Sequence, residues 1–158
     1  MMSETITIIP YSDKYQDDFR RLNEEWITKY FKMEEMDRMS LHHPKEYILD
    51  KGGYIAVALM GDIAVGVCAL IPSNREDYEF ELAKMGVSPL TQGKGIGKLL
   101  GQHMIQKAKA LGAKKLYLES NRILTPALSL YQKLGFVEMV GATSPYERSD
   151  IQMELLLN

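Results

Sequence analysis

VSPLTQGKGIGKLL, Val87 to Leu100, puts glycines at 93, 95 and 97, between a run that reads as a strand and a run that reads as a helix. Glycine lets backbone amides approach a partner closely and take positive φ. A helix N-terminus adds unpaired N–H groups and a partial positive charge. The loop therefore reads as an anion cradle. It is not a nucleotide P-loop, because Gly97-Lys98 is followed by Leu99 and position 92 is Gln. It is not a dinucleotide fingerprint either, because the third glycine of G-x-G-x-x-G would fall on Lys98. What remains is Q-x-x-G-x-G, Gln92 to Gly97.

Outward from the loop, hydrophobic spacing predicts a strand over Tyr78–Val87 before it and a helix to about Leu111 after it, closed by Gly112. Toward the N-terminus, Tyr54–Met60 and Ile63–Ile71 flank Gly61-Asp62 as a hairpin. Tyr15, Phe19, Leu22, Trp26 and Tyr30 recur at helical spacing after a short strand, Thr5–Ile9. Further helical pieces are expected over Met33–Ser40 and from Pro44 to Leu49. Toward the C-terminus come a strand, Lys115–Glu119, a helix capped by Thr125 with Pro126 at its first position, and strands at Phe136–Val140 and around Ile151, Met153 and Leu155. This order predicts one α/β domain over 1–158, with a mixed sheet in which only the crossover spanning the glycine loop requires a parallel pair.

Composition narrows the function. The 158 residues are 46% apolar and 25% charged, with a formal net charge of −2. That balance gives no bulk reason to bind nucleic acid or an anionic membrane. A single cysteine, Cys68, excludes an internal disulfide and a cysteine zinc site. Its setting in IAVGVCALI reads as a small buried hydrophobe rather than a nucleophile. Adjacent His42 and His43 lack the third ligand of a catalytic metal site, and His103 falls on a helix boundary, so no metal is expected. No basic segment followed by an apolar run opens the sequence, so a cytoplasmic protein is expected.

MGVSPLTQGKGIGKLL, Met85 to Leu100, resembles the acyl-CoA motif of the GCN5-related N-acetyltransferase (GNAT) superfamily. ESNRILTPALSLYQKLGFVEM, Glu119 to Met139, is similar to that family's second half, including the phrase LYQKLGF at Leu130–Phe136. The element order agrees from Thr5 to Leu156. The resemblance implies a mostly antiparallel, twisted sheet of six to seven strands with about four helices, whose parallel pair splays apart at the cofactor slot. It implies acetyl-CoA as co-substrate. Its pyrophosphate would lie on Gln92, Gly93, Lys94, Gly95, Ile96, Gly97 and Lys98, and its pantetheine arm along Met85, Gly86 and Val87. Gly86 suits a bulge that opens the slot, with a packing glycine as the competing account, and Asn121 resembles a polar contact to the arm, with a turn or cap asparagine as the alternative. Lys94, Lys98 and Arg122 are candidates for the 3′-phosphate, with solvated surface charge as the competing account.

Acetyl transfer needs a neutral amine, a stabilised oxyanion and a protonated leaving thiol. By resemblance, Tyr131 is the general acid, Glu81 the base, and a backbone N–H near Val87 the oxyanion donor. Glu79, two residues before Glu81, competes for the amine on the same strand face. Trp26, Tyr30 and Phe31 are candidate walls of an acceptor pocket, although Trp26 and Tyr30 also continue the apolar stripe of the first helix. Glu34, Glu35 and Asp37 could attract a cationic amine, but read rather as a solvated helix face. The expected reaction acetylates a small-molecule amine or amino acid. A peptide acetyltransferase and a non-catalytic acyl-CoA sensor are the alternatives, and a homodimer is compatible with the resemblance.

Overall fold

A computed structural model describes residues 5–141, 144 and 146–158. Seven strands form one sheet in the order β1-β2-β3-β4-β5-β7-β6. They are β1 (Ile6–Pro10), β2 (Tyr54–Met60), β3 (Ile63–Pro72), β4 (Phe80–Val87), β5 (Lys115–Ser120), β6 (Val137–Met139) and β7 (Ile151–Leu156). Among the described residues four α-helices flank it: α1 (Gln16–Tyr30), α2 (Glu35–His42), α3 (Ile96–Ala110) and α4 (Thr125–Leu134). The run from Pro44 forms a single π-type turn, Lys45–Leu49. Thr125 lies inside α4 rather than capping it, which moves Leu124 to the N-cap.

Strand alternation divides the core between two faces. On β2, Ala56 and Ala58 face a cluster built with Ile96, Leu100 and Met104 of α3. Ile55 and Val57 face the other way, toward Phe19, Leu22 and Ile27 of α1. The stripe of α1 turns from the expected one: Asn23 and Ile27 are buried, whereas Tyr30 is 49% exposed. Asn23 is tolerated inside because its Nδ2 donates to Phe19 O at 3.0 Å and its Oδ1 accepts from Trp26 Nε1 at 3.3 Å. Trp26 is thereby held half-buried at the sheet's edge of the core.

The parallel pair is β4 with β5, and it is brief. Ladder pairing covers Phe80↔Leu116 and Glu81↔Tyr117, while β4 runs on to Val87. Beyond Glu81 the two strands separate. A bulge lies in the separated part of β4, at Lys84 rather than at Gly86. The β3–β4 register slips between Val67↔Gly86 and Ala69↔Ala83, so Lys84 and Met85 oppose Cys68 alone. Lys84 takes φ +55, the one positive-φ residue other than glycine among those described. Gly86 serves close packing instead: a Cβ there would lie 2.6 Å from Leu22 O of α1.

Candidate active site

The slot opened by the splayed strands ends at the glycine loop. Gly93 and Gly95 take φ +83 and +74, and Gly95 is the N-cap of α3. Gln92 N–H donates to Pro89 O and Lys94 N–H to Thr91 O, so these two amides are occupied within the loop. Among the described residues, the amides of Gly93, Gly95, Ile96, Gly97 and Lys98 have no backbone partner, as the first turn of a helix leaves them. Five of the seven expected residues thus present main-chain N–H groups without a backbone partner, and the Lys94 and Lys98 side chains are exposed beside them. Ile96 also anchors the loop, because its side chain is core. Gly97 permits contact between helices: a Cβ would approach Leu130 Cδ2 of α4 to 3.1 Å. Arg122 is paired with Glu138 at 2.7 Å.

One cavity joins the slot to the space beneath α1. Its wall includes Leu82–Met85 from β4, Glu119, Ser120 and Asn121 from β5, Leu124 and Tyr131 from the α4 side, Trp26 and Phe31 from α1 and its end, and Tyr146, Arg148 and Ser149. Glu81 lines it too. Two expected residues are not brought there. Tyr30 points to solvent at the last turn of α1. Glu79 precedes β4, and its Oε1 accepts from Lys114 N and Lys115 N at 2.9 and 3.0 Å, tying down the start of β5. Asn121 is on the wall, but its amide is already engaged: Nδ2 donates to Arg148 O at 2.6 Å and Oδ1 accepts from Ile123 N at 3.0 Å. These bonds form a turn that holds the Arg148 segment.

The ionisable groups of the cavity are strongly perturbed. Burial, reinforced by the nearby Glu119 carboxylate, pushes the Glu81 carboxyl up to about 7 against the opposing pull of Lys84, Tyr117 and Arg75. Tyr117 Oη donates to Glu81 Oε1 at 3.4 Å. Burial raises the Glu119 carboxyl as well. The Tyr131 phenol is raised well above its ordinary value by burial, then by Cys68, so it keeps its proton at neutral pH. It packs edge-on against Phe136 at 6.3 Å. Cys68 is buried and its thiol is pushed up to about 12, which leaves it inert.

Sequence reasoning missed the clamp beneath this cavity. Asp37, read as part of a solvated face, is 0% exposed. It accepts from Lys84 Nζ at 2.9 Å and from Arg148 Nη1 and Nη2 at 2.5 and 2.6 Å. Arg148 Nη1 also reaches Glu34 at 3.2 Å, and Lys84 Nζ donates to Tyr146 Oη at 3.2 Å. Burial alone would raise the Asp37 carboxyl, but the hydrogen bonds and charges of Arg148 and Lys84 overcome it and hold it at about 2. A signal existed: Glu34-x-x-Asp37 has capping-box spacing, and Asp37 does accept from Glu34 N. Nothing local announces Lys84, Tyr146 or Arg148.

The acetyltransferase (GNAT) family model matches residues 15–136. The chain belongs to that family. The uncharacterized N-acetyltransferase YjgM of Escherichia coli is 31% identical over 104 residues, 65% of this chain and 62% of that protein. Streptothricin acetyltransferase of Streptomyces lavendulae is 32% identical over 55% of this chain and 45% of its own length. N-acetylaspartate synthetase of Danio rerio is 33% identical over 63% of this chain and 35% of its own length. The matched part thus spans less than two thirds of each of these relatives. A GNAT-family acetyltransferase of Staphylococcus aureus shares the fold at TM-score 0.85 and 21% identity, covering 98% of this chain and all of that one. The Salmonella typhimurium protein yncA, a structure described with its cofactor acetyl-CoA, aligns at TM-score 0.75 and 16% identity over 98% of this chain and 95% of that one. Among the described residues no helix is long and apolar enough to cross a membrane, and no cluster of metal-ligating side chains occurs.

Proposed function

We propose that this single domain transfers the acetyl group of acetyl-CoA directly to a primary amine of a small molecule or amino acid. One observation carries the reading: a single cavity reaches Tyr131 on the slot side and Glu81 on the α1 side, each in the protonation range its role needs. The pyrophosphate sits on the free amides of Gly93, Gly95, Ile96, Gly97 and Lys98. The pantetheine arm follows the main chain of Met85, Gly86 and Val87, where β4 has left β5. The acceptor enters past Trp26 and Phe31. Its ammonium loses a proton to Glu81, directly or through water, and the neutral nitrogen attacks the thioester carbonyl. A C–N bond forms and the C–S bond breaks. A second proton leaves nitrogen as the adduct collapses, and the sulfur takes one from Tyr131, which is then reprotonated. Amide, CoA thiol and one released proton balance the step. The reading places the reaction in the cytoplasm, where acetyl-CoA is made and a lone thiol such as Cys68 stays reduced. It leaves a homodimer to be tested by sedimentation.

Thermal melting with acetyl-CoA, with NAD and ATP as controls, is the test of the cradle. At about a hundred times its Kd, acetyl-CoA adds roughly 2.7 kcal/mol. A rise with acetyl-CoA alone is expected. Turnover is then followed as CoA thiol released with an amine panel and a peptide library in parallel. No stabilisation at high excess removes the cofactor assignment. Turnover with peptides alone removes the small-molecule acceptor.

A further inference from the structure

Two carboxylates, Glu81 and Glu119, stand together on the wall of the cavity. Lys84 and Arg148 are the cations on its described wall, and both are answered from behind by Asp37 and Glu34. Glu81 and Glu119 remain on the opposite wall. They sit together because Glu81 pairs with Tyr117 across the last parallel rung, and Glu119 follows Tyr117 by one strand period on the same face. The Glu119 side chain is only 6% exposed, and its Oε1 has no hydrogen-bond partner among the described residues. Arg75 Nη2 forms an ion pair with it at 3.8 Å, beyond hydrogen-bond reach, and Ser144 supplies a side-chain hydrogen bond to the same carboxylate. Glu81 receives a single long bond, from Tyr117 at 3.4 Å. A buried carboxylate oxygen left without a donor is costly, and the group that relieves it is a positively charged N–H donor. Trp26, Phe31 and Tyr146 supply aromatic surface on the same cavity, suited to the body of such a guest.

We propose that Glu119, beside Glu81, binds the acceptor as a cationic amine that bears no carboxylate next to the reacting nitrogen: an alkyl- or arylalkyl-ammonium, or a diamine. This rests on the acetyltransferase reading and narrows its acceptor to the amine side. An α-amino acid would carry its carboxylate, two bonds from the nitrogen, toward Glu81 and Glu119. The cations on the cavity wall, Lys84 and Arg148, are already engaged by Asp37 and Glu34. Repulsion of like charge in a partly buried site is a strong discriminator.

The test uses matched pairs that differ by one carboxylate: agmatine and arginine, tyramine and tyrosine, phenethylamine and phenylalanine. The decarboxylated member is expected to have kcat/KM at least about tenfold higher in each pair. In Glu119→Gln, KM for the amines rises about tenfold while the thermal shift with acetyl-CoA is unchanged, and the preference within each pair shrinks. That unchanged shift also shows that the variant is folded. Equal or better turnover of the amino acids overturns this proposal and leaves the acetyltransferase reading standing. So does an unaltered KM in Glu119→Gln. Turnover of no member of any pair, and of nothing in the wider amine panel, overturns both.

Discussion

Tyr131 and Glu81 are two half-buried groups whose protons are held at opposite strengths. The phenol of Tyr131 keeps its proton well into the alkaline range, so it can give one to a developing thiolate but cannot serve as base. Tyr131→Phe is expected to lower kcat about a hundredfold with little change in acetyl-CoA affinity, measured by steady-state kinetics and melting. Glu81 must be ionised to accept a proton. With its carboxyl near 7, kcat/KM is expected to climb with pH and level off above that value. Glu81→Gln should flatten this limb and recover rate only where the amine itself is neutral. An unchanged profile in the variant would remove Glu81 as base. The groups facing Glu81 that set this titration are Glu119, Lys84, Tyr117 and Arg75.

Three elements meet at Asp37: the first turn of α2, the bulge of β4 and the segment that carries Tyr146 and Arg148. Lys84 holds a left-handed conformation that costs a non-glycine residue about 1 kcal/mol or more. Its ammonium, anchored on Asp37, is what the bulge is fastened by. Asp37→Ala leaves two buried cations without their acceptor and is expected to cost about 3–5 kcal/mol in urea denaturation. A double-mutant cycle with Lys84→Met should show coupling between the two sites rather than additivity. Gly86→Ala tests the contact of β4 with α1. Its Cβ would meet the Leu22 carbonyl, which is backbone and cannot rotate away. A loss of about 1–3 kcal/mol is expected in the denaturation midpoint.

For the whole molecule, two carboxylates push stability in opposite directions along the pH scale. Asp37 has a folded value of about 2, below its ordinary 3.8. The stability it contributes, about 2 kcal/mol, is present above pH 4 and is lost as pH falls toward 2. Glu81 is raised from 4.5 to about 7, so the folded chain binds a proton that the unfolded chain releases. Its contribution is therefore favourable below 4.5 and disappears as pH rises through 7. Glu81→Gln should gain on the wild-type protein across that interval, by about 2–3 kcal/mol at pH 8, in urea titrations at stepped pH. No gain would mean that Glu81 is solvated and ionised throughout.

Periodicity and punctuation made most of the fold legible. Gly61-Asp62, Gly112, Gly135 and the alternation of β7 each act over a few residues, so the elements they bound can be read one at a time. The glycine loop was legible for the same reason, since Gly93 and Gly95 answer a local backbone demand. The roles of Tyr131 and Glu81 came from the likeness of LYQKLGF and the β4 segment to a family, and the structure adds one cavity that reaches both. What tertiary structure alone decided were the contacts between residues far apart in the chain. Asp37 became buried because Lys84 and Arg148 converge on it. Trp26 stayed at the cavity while Tyr30 turned out, because Asn23 and Ile27 took the inward face of α1. The bulge formed at Lys84, while Gly86 packs its backbone against Leu22 of α1. Local signals act through backbone geometry, which a short stretch of sequence carries whole. The burial and pairing of a charge depend on which distant groups the fold brings to it.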